Sequence, residues 1–327
     1  MSPDFYFERL VIAQMDGVCK FLFMNHRFYF DHVIMDRAAH LRTDDPSRFE
    51  NDELCPVFIP VWHDKSLVST RDVPEAVMLR GENGQWFSDN ASQIIFLGIE
   101  GDVVFMGADI SHLEDLGTAP LPRATAFEDL RRLATSIHPR EAGYLAYARA
   151  LAHWNRSHRY CGLCGSLTES RKGGHERVCT KSTCGHSHFP RTDPAVIMLV
   201  THASEDKCLL GHNKRFRGLR FSTIAGFVEP GESLEHAVAR EVKEETGIDI
   251  TDIDYQASQP WPFPASIMLG FRAKATSVDI TCTDEELVEA RWFRRDEVQN
   301  MADKFDILPP ADYSISRWLI DSWLSEK

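Results

Sequence analysis

Three glutamates in the C-terminal part of the chain, Glu241, Glu244 and Glu245, stand at positions i, i+3 and i+4 of a predicted helix. This spacing puts the three carboxylates on one helix face, within one turn. Like charges so placed repel each other, and a hard divalent cation with oxygen ligands would compensate them. The more common explanation of such a stretch is a solvated acidic face, but Arg240 interrupts the acids and could pair with Glu232. The pattern therefore indicates a site for divalent cations.

Four cysteines form a second group with the spacing of metal ligands. They are Cys161, Cys164, Cys179 and Cys184. Gly165 follows the first pair and Gly185 the second, where a tight turn would direct the thiolates toward one ion. Four thiolates suit tetrahedral Zn²⁺ in a closed, structural site. The alternative is four unligated cysteines, but in a reducing compartment such a cluster favours metal binding over disulfides.

The acidic helix must be held by the elements around it. We predict a helix from Ser233 to Thr246, closed by Gly247, because glycine readily adopts the left-handed conformation at a helix C-terminus. From Arg191 onward strand and helix patterns alternate, with strands expected at residues 195–200 and 267–275. This part of the chain is expected to be an α+β domain.

The N-terminal part carries no comparable chemistry. Short strand-like runs alternate with turn-rich segments such as residues 80–84, so we expect an antiparallel, β-rich domain with a packing or dimerisation role. Two helical patterns follow it. The predicted division is a β-rich N-terminal domain, a helical connector, a zinc ribbon and a C-terminal catalytic domain, at residues 1–120, 121–157, 158–190 and 191–327.

Composition and charge exclude several classes of protein. Hydrophobic residues make up 43% of the 327 residues, which is enough to form cores and excludes a disordered or collagen-like chain. The net charge of -13 argues against a sequence-independent grip on DNA or on an anionic membrane. No apolar run approaches the roughly 18 residues that a membrane span needs, and the first residues carry acids rather than a basic leader. We expect a cytoplasmic protein.

The acidic helix also carries a family resemblance. Gly226, Glu232, Arg240-Glu241, Glu244-Glu245 and Gly247-Ile248 fill every specified position of what resembles a complete Nudix box. The resemblance covers roughly the last 130 residues. It implies the Nudix fold, a mixed sheet between helices, and cleavage of a nucleoside diphosphate linked to another moiety.

The resemblance also implies roles for particular residues. Glu241, Glu245 and the backbone carbonyl of Ala225 match ligands of Mg²⁺ or Mn²⁺, and Glu286 matches a third acidic ligand. Glu244 matches either a ligand or a base for the attacking water, and the sequence leaves both open.

A proline-rich motif narrows the family. It consists of Gln259, Pro260, Trp261, Pro262, Phe263, Pro264, Ala265 and Ser266. With the zinc ribbon upstream, this motif is similar to the signature of NADH pyrophosphatases. The second cysteine pair departs from some relatives, because four residues rather than two separate its members. By resemblance the motif, Phe189 and Phe227 line the dinucleotide site.

The proline-rich motif has a physical interpretation of its own. Its prolines cannot lie in a central strand, so we expect a stiff extended loop with fixed aromatic faces that could stack on a base or a nicotinamide ring. The alternative is a loop that only packs against the core.

Together these features predict a homodimeric enzyme that hydrolyses NAD(H) to nicotinamide mononucleotide and AMP, with Mg²⁺ or Mn²⁺ for catalysis and one structural Zn²⁺. Removal of NAD caps from RNA 5′ ends is a second possibility, because it breaks the same bond. A third is a zinc-ribbon nucleic-acid-binding protein whose Nudix domain is inactive, which the complete acidic set opposes. The sequence does not rank NADH, NAD⁺, ADP-ribose and capped RNA as substrates.

Overall fold

The structure is a computed structural model in which residues 28–43, 55–216, 218–282 and 286–326 are described. Residues 1–27 of the predicted N-terminal domain lie outside this description. The described residues form two large sheets with a small three-stranded sheet between them in the chain. None of their helices has the length and apolar character that crossing a bilayer requires.

The first large sheet belongs to the N-terminal part of the chain. Its strands are β1 (Cys55–Trp62), β2 (Lys65–Ser69), β3 (Gln93–Glu100), β4 (Val103–Asp109) and β5 (Thr125–Glu128). The order is β3-β4-β1-β2-β5, and only β1 and β4 run parallel. The expectation of an antiparallel domain is wrong at this pair. Helix α1 (Gly81–Asn90) forms a crossover from β2 to β3, so β4 returns parallel to β1.

Residues 80–84, predicted as a turn, are instead the N-cap and the first turn of helix α1. Phe87 on this helix is fully buried in the N-terminal core. The backbone of Gly84 lies so close to Leu79 that a Cβ atom would be 2.9 Å from the Leu79 carbonyl oxygen. Tertiary packing of Phe87 therefore overrides the local turn preference, and glycine is required for close approach.

Two helices follow the first sheet, α2 (Leu130–Leu133) and α3 (Pro139–Ser157). Helix α3 begins at a proline, which is favourable in the first turn because the missing N–H would have no helical partner. It packs on the sheet through buried residues such as Leu145 and Ala148. Because β5 pairs with β2 and α3 shares the core, residues 121–157 are not a purely helical connector.

The small sheet contains β6 (Thr168–Arg171), β7 (Glu176–Cys179) and β8 (Ser187–His188), all antiparallel. The second large sheet is made of β9 (Asp193–Thr201), β10 (Lys207–Asn213), β11 (Ile224–Phe227), β12 (Ile250–Trp261), β13 (Ser266–Ala275) and β14 (Leu287–Arg294). Its order is β12-β13-β9-β10-β14, with β11 also paired to β9. The β9–β13 pair is parallel and the other pairs are antiparallel.

Helices cover both faces of the second large sheet. Val196 and Met198 of β9 pack in the core under α4 (Leu234–Thr246), while Ile197 and Leu199 pack in the core under α7 (Ile315–Ser325). Two short helices, α5 (Arg295–Gln299) and α6 (Met301–Phe305), precede α7. The predicted α+β architecture, a mixed sheet between helices, is confirmed.

The proline-rich motif differs from the extended loop expected from the sequence. Residues 259–261 end strand β12, Ser266 begins β13, and only residues 262–265 form the turn between the two strands. Pro260 is tolerated because β12 is the edge strand of its sheet, where one side of the backbone needs no ladder hydrogen bond. The motif is therefore the end of a β-hairpin.

Candidate active site and four-cysteine centre

Local capping fixes the ends of the acidic helix α4. The side chain of Ser233 accepts a hydrogen bond from the His236 backbone N–H at 3.2 Å, and Gly247 ends the helix with φ of 72°. Both boundaries agree with the sequence prediction. Ala237 and Val238 are fully buried, Glu245 is buried with them, and the Glu241 side chain is only 13% exposed, so these two glutamates lie at the buried side of the helix while Glu244 points to solvent.

Arg240 ties the acidic helix to the loop before it. Its Nε donates to Glu232 Oε1 at 2.7 Å, and its Nη2 donates to the Phe227 carbonyl oxygen at 2.9 Å. Its Nη1 donates to Glu241 Oε1 and to Glu244 Oε2, both at 2.9 Å. The guanidinium lowers the pKa of Glu232 to about 2, so this carboxylate is ionised at neutral pH. The predicted pair of Arg240 and Glu232 is confirmed.

The carboxylate of Glu241 lies against the backbone of β11. A Cβ atom on Gly226 would be 1.9 Å from the Glu241 carboxyl carbon and 2.0 and 2.2 Å from its oxygens. No other residue type fits at position 226 without displacing this side chain. The glycine therefore holds open the space that brings Glu241 next to the strand that contains Ala225.

Glu241 is also electrostatically coupled to other acids. Burial raises its pKa, Arg240 opposes this rise, and the charges of Glu244 and Glu286 raise the pKa further. Glu286 precedes β14, so the fold has brought a distant carboxylate toward the helix. Glu245 is buried. Glu241 is half-buried, and Glu244 and Glu286 are exposed. Acidic oxygens gathered in this way favour a compensating positive charge, and hard cations such as Mg²⁺ or Mn²⁺ have the matching ligand preference.

The four cysteines lie closer together than any other group of potential metal ligands in the described residues. Their Sγ atoms all lie within 4.8 Å of one another, and no other set of His, Cys, Asp or Glu in the described ranges is grouped so closely. Gly165 and Gly185 adopt positive φ angles of 71° and 55°, as required where each knuckle turns back. Burial raises the pKa of Cys179 to about 12, so four thiolates need a cation to coexist. The predicted grouping is confirmed.

Two residues of the proline-rich motif are used for packing. Gln259 is fully buried; its Oε1 accepts from the Ile315 backbone N–H at 2.8 Å and its Nε2 donates to the Tyr313 carbonyl oxygen at 2.7 Å. Phe263 is buried, with the guanidinium carbons of Arg131 and Arg149 at 4.6 and 5.2 Å from its ring centre. The structure places both residues where they hold the hairpin against α7 and the N-terminal domain.

Other motif residues lie on a common face of the sheet. Trp261 is the ladder partner of Ser266 in the hairpin. Phe227 on β11 is the partner of Ala195 on β9, and Ala195 is in turn the partner of Met268 on β13, two residues from Ser266. Because side chains two residues apart share a face, Phe227, Trp261 and Ser266 face the same side of the sheet. Phe227 is 62% exposed. Ala225 and Met268 on this face pack in the core under α7, whereas Gly226 faces Glu241, so the accessible Phe227 ring lies on the sheet face opposite α4.

The remaining motif residues are distributed around the turn. Pro260 pairs with Ile267 in the hairpin ladder, and the carbonyl oxygen of the buried Pro262 accepts a hydrogen bond from Arg149. Pro264 is exposed and Ala265 is half-buried. Phe189, by contrast, is 59% exposed and lies before β9, outside the sheet.

Tyr313 is a residue that the sequence did not reveal. Its ring stacks on Trp261 with centres 5.9 Å apart and an interplanar angle of 18°. Tyr313 lies in the loop before α7, so its contact with Trp261 joins segments far apart in sequence. No local pattern indicated this contact.

Comparison with known proteins places these features in a family. A NUDIX domain model matches residues 191–319, a model for the NADH pyrophosphatase zinc ribbon domain matches residues 156–189, and a model for the NADH pyrophosphatase-like rudimentary NUDIX domain matches residues 55–154.

Three curated relatives illustrate the similarity. NAD-capped RNA hydrolase NudC of Stutzerimonas stutzeri is 42% identical over 201 residues, covering 62% of this chain and 68% of that protein. NAD-capped RNA hydrolase NUDT12 of Homo sapiens is 36% identical over 262 residues, covering 71% of this chain and 56% of that protein. Nudix hydrolase 19, chloroplastic, of Arabidopsis thaliana is 38% identical over 256 residues, covering 73% of this chain and 56% of that protein.

This chain thus spans little more than half the length of the human and Arabidopsis relatives. It aligns with more than two thirds of the bacterial protein. The three matched domains, together with the acidic helix and the four-cysteine cluster, show that the chain belongs to the Nudix hydrolase family, with the zinc ribbon described for NADH pyrophosphatases.

Proposed function

We propose that this chain hydrolyses the pyrophosphate bond of NAD(H) to nicotinamide mononucleotide and AMP. The observation that carries the proposal is the placement of the Glu241 carboxylate against Gly226, in reach of the charge of Glu286. A carboxylate held in this way has a defined position and an unfavourable charge environment, which are properties of a cation ligand.

The proposed reaction consumes one water. The water oxygen bonds to one phosphorus, the bridging P–O bond breaks, and each half of the dinucleotide leaves as a monophosphate. Bound Mg²⁺ or Mn²⁺ would neutralise the phosphate oxygens and make the water more nucleophilic.

Glu241, Glu245, Glu286 and the Ala225 carbonyl oxygen would hold these ions, as the family resemblance implies. Glu244 would be either a further ligand or the base that accepts the water proton. Arg240 positions Glu241 and Glu244 through its Nη1. The role of Zn²⁺ bound by the four cysteines would be structural, because four sulfur ligands leave no open coordination position.

Aromatic side chains would recognise the rings of the dinucleotide. The exposed Phe227 and the hairpin residues Trp261 and Ser266 share one sheet face, which supports a ring-binding wall there. Phe189 would contribute from the segment before β9. Gln259 and Phe263 would act by positioning the hairpin, since both are buried and bound to other segments.

Removal of NAD caps from RNA is the second candidate function. It breaks the same bond, and the curated names of the human and Stutzerimonas relatives describe this activity. The exposure of Phe227 is compatible with a substrate that continues into a polymer. Homodimerisation and a cytoplasmic location are further proposals, which rest on the sequence and on family resemblance.

Product analysis tests the proposal. NADH, NAD⁺, ADP-ribose and NAD-capped RNA are incubated separately with the zinc-loaded protein, in Mg²⁺ and in Mn²⁺. We expect AMP from both free dinucleotides, together with nicotinamide mononucleotide from NAD⁺ and its reduced form from NADH, and 5′-monophosphate RNA if caps are also removed. Absence of hydrolysis of all four substrates would refute the proposed activity. Cleavage of ADP-ribose alone would show that the chain is a Nudix hydrolase with a different substrate.

A further inference from the structure

A polar cavity of about 700 Å³ lies between the N-terminal sheet and the small sheet. It is lined by the start of β3, the end of β4 with the residues that follow it, the end of α3, and residues of β6 and β7. The described residues that line it all lie outside residues 191–319, which match the NUDIX domain model, and Phe189 is not among them. The cavity is therefore separate from the acidic helix and from the proposed dinucleotide site.

The first unusual feature of this cavity is a buried arginine, Arg177 on β7. Its Nε donates to the Thr168 hydroxyl at 2.8 Å, its Nη1 to Asn155 Oδ1 at 3.2 Å and its Nη2 to the Thr168 carbonyl oxygen at 2.8 Å. These acceptors are neutral, and no carboxylate of the described residues pairs with this guanidinium. A buried charge without a counter-charge is unfavourable, and Nη1 and Nη2 each keep one N–H for a further acceptor.

A second arginine adds to this positive charge. Arg159, just after α3, is exposed, lines the cavity and forms no ion pair with a described residue. Arg156 also lines the cavity, but Asp64 and Asp109 both pair with it. Two uncompensated guanidinium groups in a chain of net charge -13 indicate an anionic ligand, because guanidinium N–H groups match the oxygens of phosphate-like anions.

Asp109, at the end of β4, restricts which anion fits. It is only 1% exposed, and no other Asp or Glu of the described residues lines the cavity. Its Oδ1 accepts from Arg156 Nη1 at 2.9 Å, from the Ser111 backbone N–H at 3.1 Å and from the Ser111 hydroxyl at 2.6 Å. Its Oδ2 is buried and finds no donor among the described residues. An anion that binds here must therefore carry a hydrogen-bond donor for this oxygen.

The hydroxyl of Ser170 is a further polar group of the cavity without a partner. Ser170 lies on β6 and lines the cavity, and its Oγ is buried with no hydrogen-bond partner in the described part of the chain. A hydroxyl can donate or accept, so it suits either a charged oxygen or an O–H group of a ligand.

We propose that this cavity binds inorganic phosphate, with its charged oxygens at Arg159 and Arg177 and its P–O–H group donating to Asp109 Oδ2. At neutral pH inorganic phosphate keeps at least one O–H group, whereas sulfate has none. Arginines alone would bind both anions, but Asp109 would repel sulfate and accept a hydrogen bond from phosphate. The phosphodiester groups of RNA also lack an O–H group. The remaining volume of the cavity leaves room for water around the ion, and the inference does not depend on the proposed hydrolysis.

Equilibrium dialysis of radiolabelled inorganic phosphate against the zinc-loaded, full-length protein tests this site, without added Mg²⁺ or Mn²⁺. We expect one phosphate per chain and competition by sulfate that is weaker by about tenfold or more. Arg159→Gln changes an exposed side chain, so the protein should fold, and phosphate binding should weaken about tenfold. Arg71→Gln is the matched control and should leave binding unchanged, because Arg71 is exposed, pairs with Glu75 at 3.4 Å and does not line the cavity.

Asp109→Asn tests the hydrogen bond to the anion. The amide would present an N–H group at the place of Oδ2, so sulfate should gain a donor while phosphate loses its acceptor. Loss of the negative charge should strengthen the binding of both anions by a similar factor. We therefore expect the ratio of phosphate to sulfate affinity to fall about tenfold or more, an effect that a purely structural role of Asp109 would not produce.

Four results would overturn the proposal. The absence of saturable phosphate binding would remove the site, and sulfate binding as tight as that of phosphate in the wild type would show that the arginines attract any anion. An equal loss in Arg71→Gln and Arg159→Gln would place the phosphate elsewhere. Tighter binding of glycerol 3-phosphate than of inorganic phosphate would assign the cavity to a phosphomonoester instead of the free ion. If Asp109→Asn failed to fold, the wild type and Arg159→Gln would still decide between these outcomes.

Discussion

The four-cysteine centre and the acidic site show two ways of building a metal site. In the first, two short knuckles and the pairing of the adjacent strands β6 and β7 bring four sulfur atoms within 4.8 Å of one another. In the second, β11, α4 and the segment before β14 each contribute one part, and Arg240 bridges two of the carboxylates. A closed structural site can be specified locally. A hydrolytic site must leave room for substrate and depends on the assembly of the sheet.

Loss of one cysteine should have the largest effect on the molecule as a whole. Cys179→Ser removes one of four thiolates, and structural Zn²⁺ contributes about 10–16 kcal/mol to the folding of zinc-finger peptides, so metal content and melting temperature should both fall. Cys208→Ser is the control, because Cys208 is buried in the Nudix domain core. Zinc analysis should give about one ion per chain for the wild type and this control. An unchanged zinc content in Cys179→Ser would contradict the assignment.

Gly226→Ala should have the next largest effect. It should strongly lower NADH turnover and leave the zinc content unchanged. The added Cβ would overlap the Glu241 carboxyl group at 1.9 Å, so this side chain must move away from β11. We expect NADH turnover to fall about 100-fold or more, as for direct loss of a metal ligand. Gly117→Ala, at an exposed turn where the Cβ would meet only the Asp115 side chain at 3.3 Å, is the control. Wild-type turnover in Gly226→Ala would show that Glu241 does not need this position.

A smaller effect should separate two neighbouring glutamates. Glu286→Gln removes a charge that acts on Glu241, so turnover should fall about tenfold or more. Glu289→Gln should do much less, because Glu289 pairs with Arg291 on β14, which lowers its pKa. Steady-state kinetics at saturating Mg²⁺ compare the two variants. Equal losses would mean that the wrong carboxylate is assigned.

The smallest expected effect concerns ring recognition. Phe227→Ala and Phe189→Ala remove exposed rings that the cores do not require. Stacking on a base contributes about 1–3 kcal/mol, which is roughly a 5- to 150-fold change, so kcat/KM for NADH should fall within this range. The fall should be smaller for ADP-ribose, which lacks the nicotinamide ring. If kcat/KM fell by the same factor for both substrates, these residues would not contact the nicotinamide ring.

The sequence predicts those parts of the molecule whose determinants are local. The ends of α4 follow from Ser233 and Gly247, and the cysteine cluster follows from two knuckles with their glycines. The sequence does not predict features that depend on contacts between residues far apart in the chain. Helix α1 forms from a glycine-rich segment because Phe87 is buried by the sheet. Gln259, expected at the substrate, instead hydrogen-bonds to residues more than 50 positions away.

The central claim is that the glutamates of α4, and not the zinc ribbon, carry out the hydrolysis. The most direct measurement compares wild type with Glu241→Gln for NADH turnover in Mg²⁺ or Mn²⁺, together with zinc content and melting temperature. We predict a loss of turnover of about 100-fold or more, with one Zn²⁺ per chain and an unchanged melting temperature. Wild-type turnover in Glu241→Gln, with its zinc retained, would contradict the account.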